Sequence, residues 1–423
     1  MGAHKFSPML AETVQAAAEG EEIRVIVKYR TGVSSAVIRA RSVPTSGQVK
    51  YLYRRIPARA LAMRAGDIAA YAADDDVERV WPDLPVHTWL DASVPLLGVP
   101  QVWSDGRRGA GVKVAIVDTG IDPAHPDFES RIVAMQDFTG KGSVVDGHGH
   151  GTHVAGIAAG SGAASGSKYT GLAPEALICV AKVLDDNGGG TMSDVMAGIE
   201  WAMDEGARVI NLSLGAPGPG DGDDALSVLC DAAVEEGVVI CAAAGNAGPA
   251  AQSVGPPGVA RLVITVGASD KNDGIASFSS RGPTADGRVK PDILFPGVGI
   301  VAARASGTGM GMPVNDRYTS ANGTSMATPH TTGAVALLLE AYPHLTPAEV
   351  KDVLMRSAKD LGLDGNTQGA GRAQVYDAYA SLKPVEPPEP PEPPEPPEPP
   401  EPPEPPTGDG CLTAILRALG LAK

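Results

Sequence analysis

Short apolar runs alternate with helical stretches from about residue 91 to residue 383. Apolar residues recur with a helical period at 194–205 and 226–236. Buried strands are predicted at 112–117, 176–183, 209–213 and 238–243. Continuous apolar strands that alternate with helices are typical of a parallel sheet covered on both faces. Because ligands of such sheets bind beyond the carboxyl ends of the strands, we expect the chemistry of the chain at that edge.

The first 90 residues follow a different pattern. Residues 23–29 alternate between apolar and polar as a half-buried strand does, and 48–56 and 77–81 are also predicted to be extended. Residues 66–73 are predicted to form a short helix. This pattern predicts a small α+β domain over residues 1–90, ahead of a larger domain over 91–383.

The end of the chain is predicted to lack a globular fold. Residues 386–406 are seven repeats of Glu-Pro-Pro, within a Pro-rich linker at 384–410, and such a sequence favours an extended polyproline II rod. In the last segment, 411–423, four apolar residues fall on one face of a helix: Leu412, Ile415, Leu416 and Leu419. Two interpretations stay open, a peptide that docks to a partner and a disordered end with an incidental pattern.

Composition and charge narrow the class of protein. The formal net charge of −16 over 423 residues argues against a nucleic-acid binder, because phosphate contacts need a basic surface. The four cysteines, Cys179, Cys230, Cys241 and Cys411, form no CxxC pair, and they are too few for a disulfide framework. We expect no transmembrane segment and no signal peptide, hence a cytoplasmic location, with leaderless export as the alternative.

Four segments bring together the groups that acyl transfer needs. Asp118 ends a predicted buried strand, His150 stands at a glycine-lined helix start, Asn246 follows another strand, and Ser325 heads an apolar helix. A serine hydroxyl is a weak nucleophile unless a base takes its proton, and the base must be oriented by a carboxylate. The tetrahedral oxyanion needs fixed donors, which an amide side chain and a helix N-terminus supply.

These segments, in the order Asp, His, Ser, resemble the subtilisin-like serine proteases over about residues 93–380. The resemblance implies an α/β fold, with a parallel-sheet catalytic domain flanked by helices and a small ferredoxin-like propeptide domain at 1–90. It implies that Asp118 orients His150, that His150 is general base and acid, and that Ser325 is the nucleophile. Asn246 and the Ser325 N–H would then bind the oxyanion.

The same resemblance implies a cleft for extended peptide substrates. Gly188, Gly189 and Gly190 would form one edge, and Ser213, Leu214 and Gly215 the facing strand. Gly245 and Gly255 would line the first specificity pocket, and Met192 and Val195 a second apolar pocket. We therefore expect a serine endopeptidase of broad specificity with an apolar preference, acting on protein or peptide substrates.

The resemblance also implies that the chain is made as a zymogen. Residues 1–90 would act as an intramolecular inhibitor and folding chaperone, with 87–90 filling the cleft. Self-cleavage is expected between Leu90 and Asp91. Two alternatives stay open, a peptide ligase or macrocyclase on the same triad and a scaffold that binds peptides without cleaving them.

No cofactor is predicted to be required, and no metal site is assigned. The family's tight calcium loop is missing its ligands, because residues 160–169 contain a lysine and no carboxylate. A weak Ca²⁺ site at 185–187 or 221–224 and ordinary solvated loops are both compatible with the sequence. His148, His150 and His153 are not predicted to bind metal. Thr331 and Thr332, which stand where the family more often has apolar residues, are interpreted as a packing change.

Overall fold

A computed structural model describes residues 2–6, 10–11, 14–15, 17–18, 20–44, 47–53, 57–82, 90–216, 218–383 and 418–420. The chain divides into two units, residues 1–381 and 382–423. The predicted Glu-Pro-Pro linker and most of the C-terminal peptide lie outside the described residues. Among the residues that the structure does describe, no helix is long and apolar enough to cross a membrane.

The N-terminal part forms a four-stranded antiparallel sheet with two short helices. The strands, in the spatial order β2-β3-β1-β4, are β1 Glu22–Tyr29, β2 Gln48–Leu52, β3 Ala58–Arg64 and β4 Val77–Pro82, and the helices are α1 Ser35–Ala40 and α2 Ala65–Ala72. Strand β1 buries alternate residues, as its pattern predicted. Strand β3 and helix α1 were not predicted, and β2 ends earlier than expected. The sheet has its own apolar core, which includes Val25, Leu61 and Ile68.

The larger part is built on a seven-stranded parallel sheet, so the prediction of a parallel α/β fold is confirmed. Its order is β11-β10-β9-β8-β5-β7-β6. The strands are β5 Lys113–Asp118, β6 Ile132–Asp137, β7 Leu177–Lys182, β8 Val209–Leu212, β9 Val239–Ala243, β10 Ile264–Ser269 and β11 Ile293–Pro296. Since β5 lies between β7 and β8, its carboxyl end opens at the middle of the sheet.

Helices cover both faces of this sheet. They are α3 Leu90–Leu96, α4 Val99–Ser104, α5 His150–Ala159, α6 Met192–Asp204, α7 Ala225–Glu235, α8 Thr324–Ala341, α9 Pro347–Arg356, α10 Gly365–Gln368 and α11 Val375–Ser381. Helices α6 and α7 pack on one face through a core that takes alternate residues of the strands. Helices α5 and α8 pack against each other, and α8 lies against the other residues of β8 and β9.

Smaller elements complete the fold. A three-stranded antiparallel sheet has the order β12-β14-β13, with β12 Ile300–Ala303, β13 Met312–Pro313 and β14 Tyr318–Ala321. Single turns of 3₁₀ helix occur at Gly2–Lys5, Pro126–Phe128 and Ala163–Ser165. The predicted domain boundary at 90/91 coincides with the start of α3 and stays a prediction, as do the boundaries near the C-terminus.

Candidate active site

Asp118 and His150 meet at the carboxyl end of the central strand. Asp118 is the last residue of β5 and is fully buried, and His150 is the first residue of α5, with 18% of its side chain exposed. The His150 Nδ1 donates to Asp118 Oδ1 over 2.7 Å. This bond places the proton of the neutral ring on Nδ1 and leaves Nε2 as the nitrogen that can accept a proton. Asp118 Oδ2 is buried and has no hydrogen-bond partner among the described residues.

The surroundings of His150 favour its protonated form. Burial lowers the pKa of the imidazole, but the charge and hydrogen bond of Asp118 raise it, and Asp146 adds a smaller effect in the same direction. The net result is a pKa above the ordinary value of 6.5. A proton accepted at Nε2 is therefore stabilised at this position.

Ser325 lies in the first turn of α8. Its hydroxyl donates to the carbonyl oxygen of Ser213 over 3.0 Å. The hydrogen bonds among the described residues include none between this hydroxyl and the His150 ring, so the contact that catalysis needs requires a turn of the serine side chain. The N–H of Ser325 is one of the first four of the helix, which have no partner within the helix and lie at its positive end.

Asn246 follows strand β9, and its amide is held in one orientation. Its Oδ1 accepts from the Thr324 N–H over 2.9 Å and from the Thr324 hydroxyl over 3.1 Å. The same hydroxyl accepts from the N–H of Gly245 over 3.2 Å. Because the carbonyl end is fixed, the NH₂ of Asn246 is free to serve as a donor. The sequence did not predict that Thr324 holds the Asn246 amide. The position of Thr324 next to Ser325 was the one signal in the sequence that pointed to the site.

Asn246 and Ser325 border a cavity of about 310 Å³. Four predicted substrate-binding residues line it: Leu214, Gly215, Gly245 and Gly255. A Cβ on Gly255 would lie 2.4 Å from the carbonyl oxygen of Ala216, so only glycine fits there. The described residues around the cavity are small, apolar or neutral polar.

The other predicted substrate-binding residues lie elsewhere. Gly188, Gly189 and Gly190 belong to the loop after β7, in which Gly188 donates its N–H to the carbonyl oxygen of Asp185 over 2.9 Å. Ser213 contacts Ser325 directly. Met192 is exposed at the start of α6. Val195 is buried in the core between the sheet and helices α6 and α7, and the second apolar pocket expected at Met192 and Val195 stays a prediction.

The predicted cleavage point falls at the start of a helix. Leu90 and Asp91 are the first two residues of α3. Residues 87–89, predicted to fill the cleft, lie outside the described residues. Cleavage between Leu90 and Asp91 would require this first turn to be extended, since proteases bind substrates as strands.

Asp146 makes a network of hydrogen bonds next to Asp118 and His150, and the sequence did not predict it. The carboxylate is buried and accepts five hydrogen bonds. Oδ1 accepts from the Thr119 hydroxyl and from the N–H groups of His148 and Gly149, at 2.9, 3.1 and 2.6 Å. Oδ2 accepts from the N–H and hydroxyl of Thr152, at 2.9 and 2.7 Å. Asp146 therefore ties the turn after β5 to the start of α5.

The stretch at 160–169 does not fit a calcium ion. It wraps around Asp127, a buried carboxylate whose two oxygens each lie 2.9 Å from the Tyr318 hydroxyl. The N–H of Ala164 donates to the same carboxylate over 3.0 Å, and the N–H of Ser161 to the Asp127 carbonyl over 3.0 Å. The Asp127 carboxylate is thus hydrogen-bonded by protein donors. Within the described ranges, no group of three or more His, Cys, Asp or Glu side chains is placed to hold a metal.

The acidic loops and His153 are also engaged in protein contacts. Asp185 accepts from the N–H of Asn187 over 2.9 Å, and Asp224 caps α7 by accepting from the N–H of Ser227 over 2.9 Å. The Nε2 of His153 lies 3.1 Å from two backbone carbonyl oxygens, to which it can only donate. Burial, with a smaller effect of nearby His150, lowers the pKa of His153 to about 4. His153 is therefore a neutral structural residue.

Comparison with known proteins agrees with this geometry. The model of the subtilase family matches residues 109–373. Serine protease AprX of Bacillus subtilis is 41% identical over 322 residues, which cover 70% of this chain and 73% of that protein. Subtilisin E of the same species is 36% identical over 366 residues, covering 84% and 90%. A crystal structure of a cold-adapted subtilisin-like serine proteinase aligns with a TM-score of 0.52 at 32% identity, covering 63% of this chain and 88% of the other.

Proposed function

The chain belongs to the subtilase family, whose members are serine endopeptidases, and on this premise we propose that it hydrolyses peptide bonds through Asp118, His150 and Ser325. The observation that carries the proposal is the 2.7 Å bond between Asp118 Oδ1 and His150 Nδ1, at the same edge of the sheet as Ser325. Membership of this family does not favour the two alternative functions, a ligase and a peptide-binding scaffold.

In the proposed mechanism, the Ser325 hydroxyl turns from the Ser213 carbonyl toward His150 and attacks the carbonyl carbon of the substrate. His150 Nε2 takes the hydroxyl proton, and the Asp118 carboxylate stabilises the imidazolium that forms. The oxyanion accepts from the Asn246 NH₂ and the Ser325 N–H. His150 then gives the proton to the leaving amine, and water cleaves the acyl-enzyme by the same steps in reverse order.

The cavity beside Ser325 is proposed to take the side chain that precedes the cleaved bond. Its volume of about 310 Å³ accommodates a large side chain, and Leu214, Ala216 and Pro256 supply apolar surface. The described residues that line the cavity include no charged group that could pair with a charged substrate side chain. An apolar side chain therefore gains the most binding free energy from burial there. This supports a broad specificity with an apolar preference.

Residues 1–90 are proposed to be a propeptide that inhibits the enzyme until Ser325 cleaves the chain near Leu90 and Asp91. Support comes from the separate four-stranded sheet, which has its own apolar core. Catalysis is proposed to need no metal, since the Asp127 carboxylate is satisfied by Tyr318 and Ala164.

A fluorophosphonate probe tests the proposal directly, because it reacts with an activated serine. We expect the probe mass on the peptide that contains Ser325 in the wild type and in Ser143→Ala, a control that removes an exposed serine hydroxyl. Ser325→Ala should take up no probe and cleave no peptide substrate. Probe on another serine, or full peptidase activity in Ser325→Ala, would refute the assignment of the nucleophile.

A further inference from the structure

A proline removes one backbone hydrogen bond directly behind the proposed nucleophile. In an α-helix the carbonyl of residue i accepts from the N–H of residue i+4, and for Ser325 that residue is Pro329, which has no N–H. The Ser325 carbonyl instead accepts from the Ser213 hydroxyl over 2.9 Å. Since the Ser325 hydroxyl donates to the Ser213 carbonyl over 3.0 Å, two reciprocal bonds join these residues. The first turn of α8 is therefore held by Ser213, a residue outside the helix.

The donor that replaces the proline N–H is itself the end of a buried chain of hydrogen bonds. The Asn211 NH₂ donates to the Ser213 hydroxyl over 2.9 Å. The Thr332 hydroxyl, two turns along α8 from Ser325, donates to Asn211 Oδ1 over 2.9 Å. Asn211, Ser213 and Thr332 are all buried, which makes each bond stronger than it would be in water.

The direction of these bonds depends on Thr332. Its hydroxyl gives the Asn211 carbonyl a donor, so the NH₂ of Asn211 faces Ser213, whose own proton is then free for the Ser325 carbonyl. If the amide turned over, its oxygen would accept the Ser213 proton. The Ser325 carbonyl would then have no donor, because Pro329 offers none.

We propose that Thr332 and Asn211 are positioning residues, which act on Ser325 through Ser213. This inference rests on the proposed role of Ser325 as nucleophile. These hydrogen bonds from Thr332 through Asn211 to Ser213 fix the carbonyl of Ser325. Through the same turn of helix they also fix the Ser325 N–H, which donates to the oxyanion. Loss of the Thr332 hydroxyl makes the carbonyl and the N–H of Ser325 less rigidly placed and leaves the substrate pocket unchanged. The chemical step therefore slows while substrate binding is retained. Thr332 thus has a role beyond the packing change suggested by the sequence.

The test uses two neighbouring threonines of α8. Thr332→Val removes the hydroxyl that donates to Asn211 and keeps the shape of the side chain. Thr331→Val is the matched control, since the Thr331 hydroxyl is equally buried and has no hydrogen-bond partner within the part of the chain that the structure describes. Thr332→Ser restores the hydroxyl. For each variant the rate of fluorophosphonate labelling at Ser325, kcat and KM are measured per titrated active site.

We expect Thr332→Val to lower kcat and the labelling rate about tenfold, the effect of one broken buried hydrogen bond, with KM changed less than about twofold. Thr331→Val and Thr332→Ser should stay within about twofold of the wild type. Ser213→Ala should show a similar loss of kcat, and adding Thr332→Val to it should cost little more, because both act through one chain. If Thr332→Val folds poorly, Ser213→Ala alone carries the test, and an unchanged kcat in that variant would overturn the inference.

Equal labelling rates for Thr332→Val and Thr331→Val, with Ser325 labelled in the wild type, would overturn the inference and leave the proposed function standing. Fully additive losses in the double variant would overturn it as well. If the probe does not label Ser325 in the wild type, the proposed function fails, and the inference fails with it.

Discussion

Tyr318→Phe tests whether the loop at 160–169 is held by protein contacts rather than by a metal. The Tyr318 hydroxyl lies 2.9 Å from both oxygens of Asp127, and the one further donor to that carboxylate is the Ala164 N–H at 3.0 Å among the hydrogen bonds of the described residues. The substitution removes the hydroxyl and leaves a buried carboxylate short of a donor. A lost hydrogen bond to a charged group costs about 1.5–3 kcal/mol.

This free energy converts into a measurable shift of the melting temperature. For the predicted domain over residues 91–383, each kcal/mol lowers Tm by about 1.6 °C, so Tyr318→Phe should melt roughly 2–5 °C below its parent. The parent is Ser325→Ala, which prevents self-digestion during heating. Tyr376→Phe is the control, because the Tyr376 side chain is half-buried and its hydroxyl makes no hydrogen bond among the described residues.

A chelator separates the two explanations for the loop. We expect EDTA to leave Tm unchanged in the parent and in Tyr318→Phe, because neither uses a cation at Asp127. The reasoning is refuted if EDTA lowers Tm of the parent more than Tyr318→Phe does and added Ca²⁺ restores it. It is also refuted if Tyr318→Phe and Tyr376→Phe melt at the same temperature.

The remaining predictions concern catalysis. The acid limb of the kcat/KM profile should lie above pH 6.5, because His150 must be neutral to act and its pKa is raised by Asp118 and Asp146. Asp146→Asn removes a negative charge, so this limb should move to lower pH, and an unmoved limb would contradict the role of Asp146. Asn246→Ala should lower kcat about 10²–10³-fold, a magnitude adopted from the equivalent donor of a subtilisin, while circular dichroism stays native. Ser325→Ala should remain uncut, whereas N-terminal sequencing of the wild type should place the mature start between about residues 85 and 98.

The sequence identified the four adjacent strands β5, β7, β8 and β9 and the proposed site, because each proposed catalytic residue lies at or near the end of a regular element. Asp118 ends an apolar strand, Asn246 lies shortly after another, and His150 and Ser325 lie in the first turns of helices rich in small residues. Such local patterns predict the site well, because a regular element determines the position of the residues at its end. The parallel sheet brings these ends to one edge.

What the sequence missed depends on contacts between distant segments. Strand β3 is rich in alanine and lacks β-branched residues, and it is extended because it pairs with β1 and β2 on either side. Thr332 lies 2.9 Å from Asn211, and no linear pattern connects residues so far apart in the chain.

The order of strands in the large sheet has a consequence for the time at which the enzyme becomes active. Strand β5 lies between β7 and β8, and the nucleophile is carried by α8, which is synthesised long after β5. A ribosome-bound chain that has reached only β9 holds the acid and the base but has no nucleophile. Folding that depends on such long-range parallel pairing is slow, and it finishes only after the whole peptidase portion has emerged. We therefore expect a nascent chain that ends before α8 to lack peptidase activity.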